Sequence, residues 1–204
     1  RVNTDVLTLT ATPIPRTLQL SMMGLRDISV INTAPVDRLS VRTYVARFNE
    51  DVIRTAIRQE LARGGQVFFI HNRVQSINAM ADRIRESVPE AKVIVAHGQL
   101  DEKALEERML EFYNKKGNVL LCSTIIESGL DIPSANTMII NRADMFGLAQ
   151  LYQLRGRVGR SQLRAYCYLL LPEEGSVSDE AKKRLEVIQR FVDLGSGFKI
   201  ASHD

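Results

Sequence analysis

Along nearly all of the chain, short apolar runs rich in β-branched and aromatic residues alternate with amphipathic stretches of helical spacing. That alternation leaves few folds open. Val52, Ile53, Ala56, Ile57 and Leu61 recur at helical spacing between Glu50 and Arg63, and Gly64-Gly65 stops the helix. Gln66–His71, with VFFI at its centre, is a buried-type strand. Val74, Ile77, Ala81, Ile84 and Val88 mark the next helix, which ends near Pro89. Val93–Ala96 is a strand. Asp101 is an N-cap, and Leu105, Met109 and Phe112 face inward behind it. Asn118–Cys122, Thr137–Ile140 and Ala165–Leu171 are further strands, with a helix over Leu148–Gly156. Before these lie strands at Val6–Thr10, Ile28–Ile31 and Val41–Ala46. The strands are continuous apolar runs, as expected when helices cover both faces of a parallel sheet. After Pro172 the composition shifts to Glu, Gly and Ser, and a separate helical element runs from about Ser178 to Leu194.

With 204 residues the chain is long enough for one domain plus an appendage. Its hydrophobic share of 45% and charged share of 25% suit a soluble globular protein. No apolar run approaches the roughly 18–20 residues that span a bilayer. The start at Arg1-Val2-Asn3-Thr4 is no signal peptide, and the chain reads as a piece of a longer protein. Cys122 and Cys167 sit in strand-like runs and read as core thiols in a reducing cytosol. No metal is expected, because no Cys/His ligand spacing exists. A net charge of +3 permits phosphate-rich partners without demanding them.

The common catalytic devices are missing, including the GxxxxGK[ST] phosphate loop and a GxGxxG turn. Four polar clusters remain, each read as following a strand. In Thr10-Ala11-Thr12-Pro13-Ile14-Pro15-Arg16 the hydroxyls could relay hydrogen bonds between sites, or merely cap a turn. His97-Gly98-Gln99 could bring backbone close to a ligand, although local chemistry alone favours a plain strand-to-helix turn. Ser123–Pro133 is more polar than a turn between two apolar strands requires. Its hydroxyls suit phosphate oxygens, and Gly129 and Asp131 suit a sugar hydroxyl. The fourth, Gln153–Arg160 (QLRGRVGR), sets Arg157 and Arg160 either side of Gly159. Guanidinium forks match phosphate oxygens bidentately and keep their charge at any relevant pH. A solvated basic turn would look similar in isolation.

Taken together and in order, these clusters resemble the motifs of superfamily 2 helicases and translocases. LTATPIPRTL (Leu9–Leu18) resembles motif III, and VFFIHNRV (Val67–Val74) motif IV. STIIESGLDIPSANT (Ser123–Thr137) resembles motif V, and QLRGRVGR motif VI with its arginine fingers. FGLAQLYQLRGRVGRS (Phe146–Ser161) is similar to the DNA translocases of the RecG and transcription-repair coupling factor group. Motif VI of RNA helicases usually begins with His, where Gln153 stands here. Gly24–Val45 favours the coupling-factor branch, and Arg184–Asp204 resembles the start of that group's translocation hairpin. Asn141 and Ser128 depart from the pattern, which has Glu and Thr there.

The resemblance implies a second RecA-like lobe of P-loop NTPase type that lacks the P-loop. It divides the chain into the tail of a first lobe (1–32), the second lobe (33–172) and the start of a helical hairpin (173–204). ATP with Mg2+ would be shared with an absent first lobe. Arg157 and Arg160 would reach the γ-phosphate, Gln153 would sense nucleotide state, and Gly129 and Asp131 would lie near the ribose. Thr124, His97, Gly98, Gln99 and Arg73 would touch the backbone of double-stranded DNA, while Thr10, Thr12 and Glu127 would couple hydrolysis to movement. Implied partners are the first lobe and, through other domains, RNA polymerase and excision-repair proteins, in a bacterial cytoplasm and with no membrane. A RecG-type branch-migrating helicase, an RNA helicase, or a non-catalytic Rossmann-like nucleotide-binding module are the alternatives. The last lacks the Gly-rich fingerprint it needs.

Overall fold

A computed structural model of the chain describes residues 39–123 and 132–190. The strands expected at Val6–Thr10 and Ile28–Ile31, the residues Thr10, Thr12, Thr124, Glu127, Gly129 and Asp131, and the helix end at Leu194 lie outside the described residues.

Among the described residues six strands form one sheet: β1 (Arg42–Arg47), β2 (Gln66–His71), β3 (Val93–Ala96), β4 (Val119–Cys122), β5 (Ala135–Asn141) and β6 (Tyr166–Leu171). Their spatial order is β1-β6-β5-β2-β4-β3, and every pair is parallel. The helices are α1 (Glu50–Ala62), α2 (Ile77–Ser87), α3 (Glu102–Tyr113), α4 (Leu148–Arg155) and α5 (Asp179–Arg190). Strand β5 begins two residues earlier than the apolar run suggests. Asn136 and Thr137 are buried there because Ser161 and Glu60 satisfy their side chains. The helix expected from Val74 opens as a short 3-10 turn at Val74–Ser76 before α2 proper.

Each helix starts and stops for a local reason. Asn49 accepts a hydrogen bond from the Asp51 N–H at 2.7 Å, and Glu50 and Asp51 put negative charge in the first turn of α1. Gly64, at φ +75°, ends that helix in a backbone conformation that L side chains rarely adopt. Asp101 accepts from the Ala104 N–H at 2.7 Å and starts α3.

Two apolar layers sandwich the sheet. One holds Ile53, Ile57, Ile77, Ile84, Val67 and Phe69 beneath α1 and α2. The other holds Phe68, Phe112, Met138, Leu151, Cys167, Leu185 and Ile188 beneath α3, α4 and α5. The composition break at Pro172 is therefore no packing break, since Leu185 and Ile188 of α5 belong to the same core as the sheet. Cys122 and Cys167 are free and buried, and burial pushes both thiols up to about 12.

Candidate functional site

In a parallel sheet every strand ends on the same side, so the loops sort themselves to two opposite edges. At the carboxyl edge, β2 runs into Arg73, β3 into His97-Gly98-Gln99, and β4 into Ser123. Arg73, Gly98 and Gln99 are exposed and His97 is half-buried. The Leu100 N–H donates to the His97 carbonyl at 3.1 Å, and Asp101 then starts α3. His97 Nδ1 is buried with no hydrogen-bond partner among the described residues.

The fourth cluster departs from its expected placement. Arg157 and Arg160 follow a helix, not a strand. Helix α4 runs antiparallel to the strands and delivers them to the amino edge of the sheet. Leu148, Leu151 and Leu154 fasten the helix to the core. The Gly156 N–H closes on Tyr152 O, and Arg157 and Val158 continue the turn onto Leu154 O and Arg155 O. Val158 is fully buried and anchors the segment between the two arginines. Gly159 sits at φ +78°, where an added Cβ would lie 3.2 Å from both Ala165 Cβ and Val41 Cγ2. Those two residues immediately precede β6 and β1. Ser161 Oγ then donates to Asn136 Oδ1 at 2.8 Å, near the start of β5. Gln153 and Arg160 are exposed and Arg157 is half-buried.

Motif VI holds a third arginine, and it has a different task. Arg155 is 6% exposed, lies over the Tyr152 ring at 5.2 Å, and donates from Nη1 to Ile188 O at 2.6 Å. Burial lowers its pKa. It ties α4 to α5 and is unavailable to a ligand. Arg184 makes a second tie at the other end of the pair, donating from Nη2 to Asp144 O at 3.1 Å.

Sequence reasoning missed a polar network at the carboxyl edge. Strand register pairs His71 with Asn141. Asn141 Nδ2 donates to His71 Nδ1 at 2.9 Å, so His71 carries its proton on Nε2, which faces Ser76 Oγ at 2.8 Å. Ser76 in turn reaches Arg73 O at 3.4 Å. Burial, then the Arg73 charge, lower the His71 pKa and keep the ring neutral. The Asn at 141 fits this neutral partner. Nothing in the sequence announces a register contact between residues so far apart. A cavity of about 260 Å³ lies between α1 and the Tyr166 and Tyr168 rings, and none of the sequence-predicted site residues lines it.

A lobe with an all-parallel sheet, a buried motif IV strand, and a half-buried and an exposed arginine at the opposite edge has the architecture of a helicase second lobe. Residues 50–162 match the family model "Helicase conserved C-terminal domain", and the chain belongs to that family. Over its whole length it is 60% identical to the transcription-repair-coupling factor of Myxococcus xanthus and 54% identical to that of Escherichia coli. The chain spans 17% and 18% of those proteins respectively. A structure of RecG bound to a three-way DNA junction is 38% identical, with a TM-score of 0.78, over 94% of this chain and 25% of that one. Saccharomyces cerevisiae Dbp5 bound to RNA and ADP BeF3, at 16% identity and a TM-score of 0.61, covers 90% of this chain and 48% of that one and shares the fold. The chain thus fits the second RecA-like lobe of a coupling-factor motor, as the motif order implied.

Proposed function

We propose that the chain is the second motor lobe of an ATP-dependent double-stranded DNA translocase. The full protein acts on stalled RNA polymerase and recruits excision repair, in the bacterial cytoplasm. One observation carries this reading: the sheet holds the candidate DNA contacts at one edge and the candidate phosphate contacts at the other. A six-residue strand separates the edges by roughly 20 Å. Nucleotide and duplex can then occupy the lobe together, and a rigid sheet between them lets movement at one edge be felt at the other.

At the amino edge, Arg157 and Arg160 present guanidinium forks to a γ-phosphate on a first lobe, and Gln153 senses it from the preceding helix turn. Permanently charged groups on an anchored turn suit that task. Gly129 and Asp131 lie near the ribose in this reading. In this reading the Mg2+ that accompanies ATP is held by the first lobe. That ion supplies charge neutralisation at the phosphates. At the carboxyl edge, Arg73, His97, Gly98 and Gln99 hold backbone phosphates, and Thr124 shares that task; such contacts position the motor without reading sequence. Thr10, Thr12 and Glu127 couple the two. On this reading residues 1–32 close the first lobe, 33–172 form the second, and 173–204 begin the translocation hairpin. A RecG-type helicase would use the same geometry, but 60% identity to a coupling factor against 38% to RecG favours the former.

The test is the ATPase rate of the full-length protein, wild type against Arg157→Ala and Arg160→Ala, with and without duplex DNA. A loss of about 10³-fold or more with nucleotide binding retained is expected. Near wild-type rates in both variants would remove the arginine-finger assignment.

A further inference from the structure

We infer that Arg142 is a further DNA-phosphate ligand, the end member of a row of donors along the carboxyl edge of the sheet. The inference rests on the translocase reading and extends its DNA-binding surface to a residue that no motif marks.

Position comes first. Arg142 leaves β5 directly after Asn141, which pairs in register with His71, two residues before Arg73. Strand β2 lies between β5 and β4, and β3 lies beyond β4. The edge therefore presents, in spatial order, Arg142, Arg73, the end of β4, and His97-Gly98-Gln99. Adjacent strands are about 4.8 Å apart, so the row spans roughly 14 Å. Phosphates recur every ~3.4 Å of axis along one DNA strand, so such a row follows a short run of one backbone.

Geometry comes second. Arg142 has φ 55° and ψ 51°, a left-handed conformation that is unfavourable for a residue with a Cβ. Backbone strain of this kind concentrates at ligand-holding loops. The side chain is held by Asp144, with Nε donating to Oδ1 at 3.0 Å and to Oδ2 at 3.3 Å, and Nη2 to Oδ2 at 2.8 Å. The pair is asymmetric: the Arg142 side chain is 34% exposed and that of Asp144 is 11%. The anion sits behind and the cation in front. Asp144 thus fixes the plane of the guanidinium. Nη1 donates to no acceptor among the described residues, which leaves that side of the fork for a phosphate oxygen.

The experiment measures duplex binding by the full-length protein between 50 and 200 mM salt, together with DNA-independent ATPase and Tm. Arg142→Ala is expected to weaken binding several-fold at the lowest salt, on any sequence. It should also reduce the slope of log K against log salt by about 1, with DNA-independent ATPase retained. Asp144→Asn keeps an acceptor and uncovers the cation, so it is expected to tighten binding and steepen the slope. A merely structural pair would give parallel losses in both variants. An unchanged slope in Arg142→Ala, or that parallel loss, overturns the inference. The Arg73→Ala variant separates the two levels. If Arg73→Ala lowers the slope and Arg142→Ala does not, Arg142 alone is misassigned. If wild type shows no salt-dependent duplex binding, the translocase reading falls and takes this inference with it.

Discussion

His71 shows how a single side chain can be fixed by neighbours distant in sequence. It is neutral because burial and the Arg73 charge disfavour its protonated form, and because Nδ1 is occupied as an acceptor by Asn141. The consequence for stability has a definite sign. The folded pKa lies below the unfolded value near 6.5, so the unfolded chain binds more protons between the two. Stability is expected to fall as pH drops through 6.5 and to level off once the folded pKa is passed. His71→Gln should flatten that dependence, read as the urea midpoint of this chain from pH 7.5 to 5. An equal pH slope in the variant would assign the effect elsewhere. Gly159 works at the same scale by a different route. Its φ of +78° and the crowding by Val41 and Ala165 keep a Cβ out of the turn between Arg157 and Arg160.

At the scale of elements, α4 and α5 behave as a pair tied at both ends. Arg184 fastens α5 to the Asp144 carbonyl near the start of α4, and Arg155 fastens the end of α4 to the Ile188 carbonyl. The two ties link the turn that bears Arg157 to a helix that lies beyond the composition break at Pro172. Arg155→Ala removes a buried charged donor, leaves Ile188 O without it, and opens space beside Tyr152. A loss of about 2–4 kcal/mol is expected from these effects together. Amide exchange over residues 179–190 should accelerate more than exchange in β2 and β5. Protection of α5 equal to wild type would mean that Leu185 and Ile188 hold the helix without the tie.

For the whole molecule, the parallel sheet decides which loops share an edge. Every strand points one way, so residues that follow strands gather at one edge and residues delivered by returning helices gather at the other. The chain carries no GxxxxGK[ST] phosphate loop of its own. The isolated chain is therefore expected to hydrolyse ATP no faster than a buffer blank, even with duplex DNA present. Turnover clearly above background in a preparation free of contaminating ATPase would show that the site is complete within this chain.

Much of this was legible in advance. The apolar runs of VFFI and VLLC could only be strands buried on both faces, and the spacing of Ile53, Ile57, Ile77 and Ile84 could only be helical faces turned inward. Motif order then named the class of lobe, and 60% identity to a coupling factor agrees with it. Sequence alone was silent wherever two segments meet through the sheet. It read Arg157 and Arg160 as a strand-end cluster, because a list of residues carries no direction of travel, and the helix that returns them to the amino edge is a property of the topology. It singled out Arg157 and Arg160 in motif VI but did not show that Arg155 between Leu154 and Gly156 is withdrawn into the core. It gave no sign of the His71–Asn141 contact or of the Arg142–Asp144 clasp. Local propensity and periodicity fix which elements form, because those are short-range energies written residue by residue. Register, burial and charge pairing arise between segments dozens of residues apart, and only the packed sheet decides them.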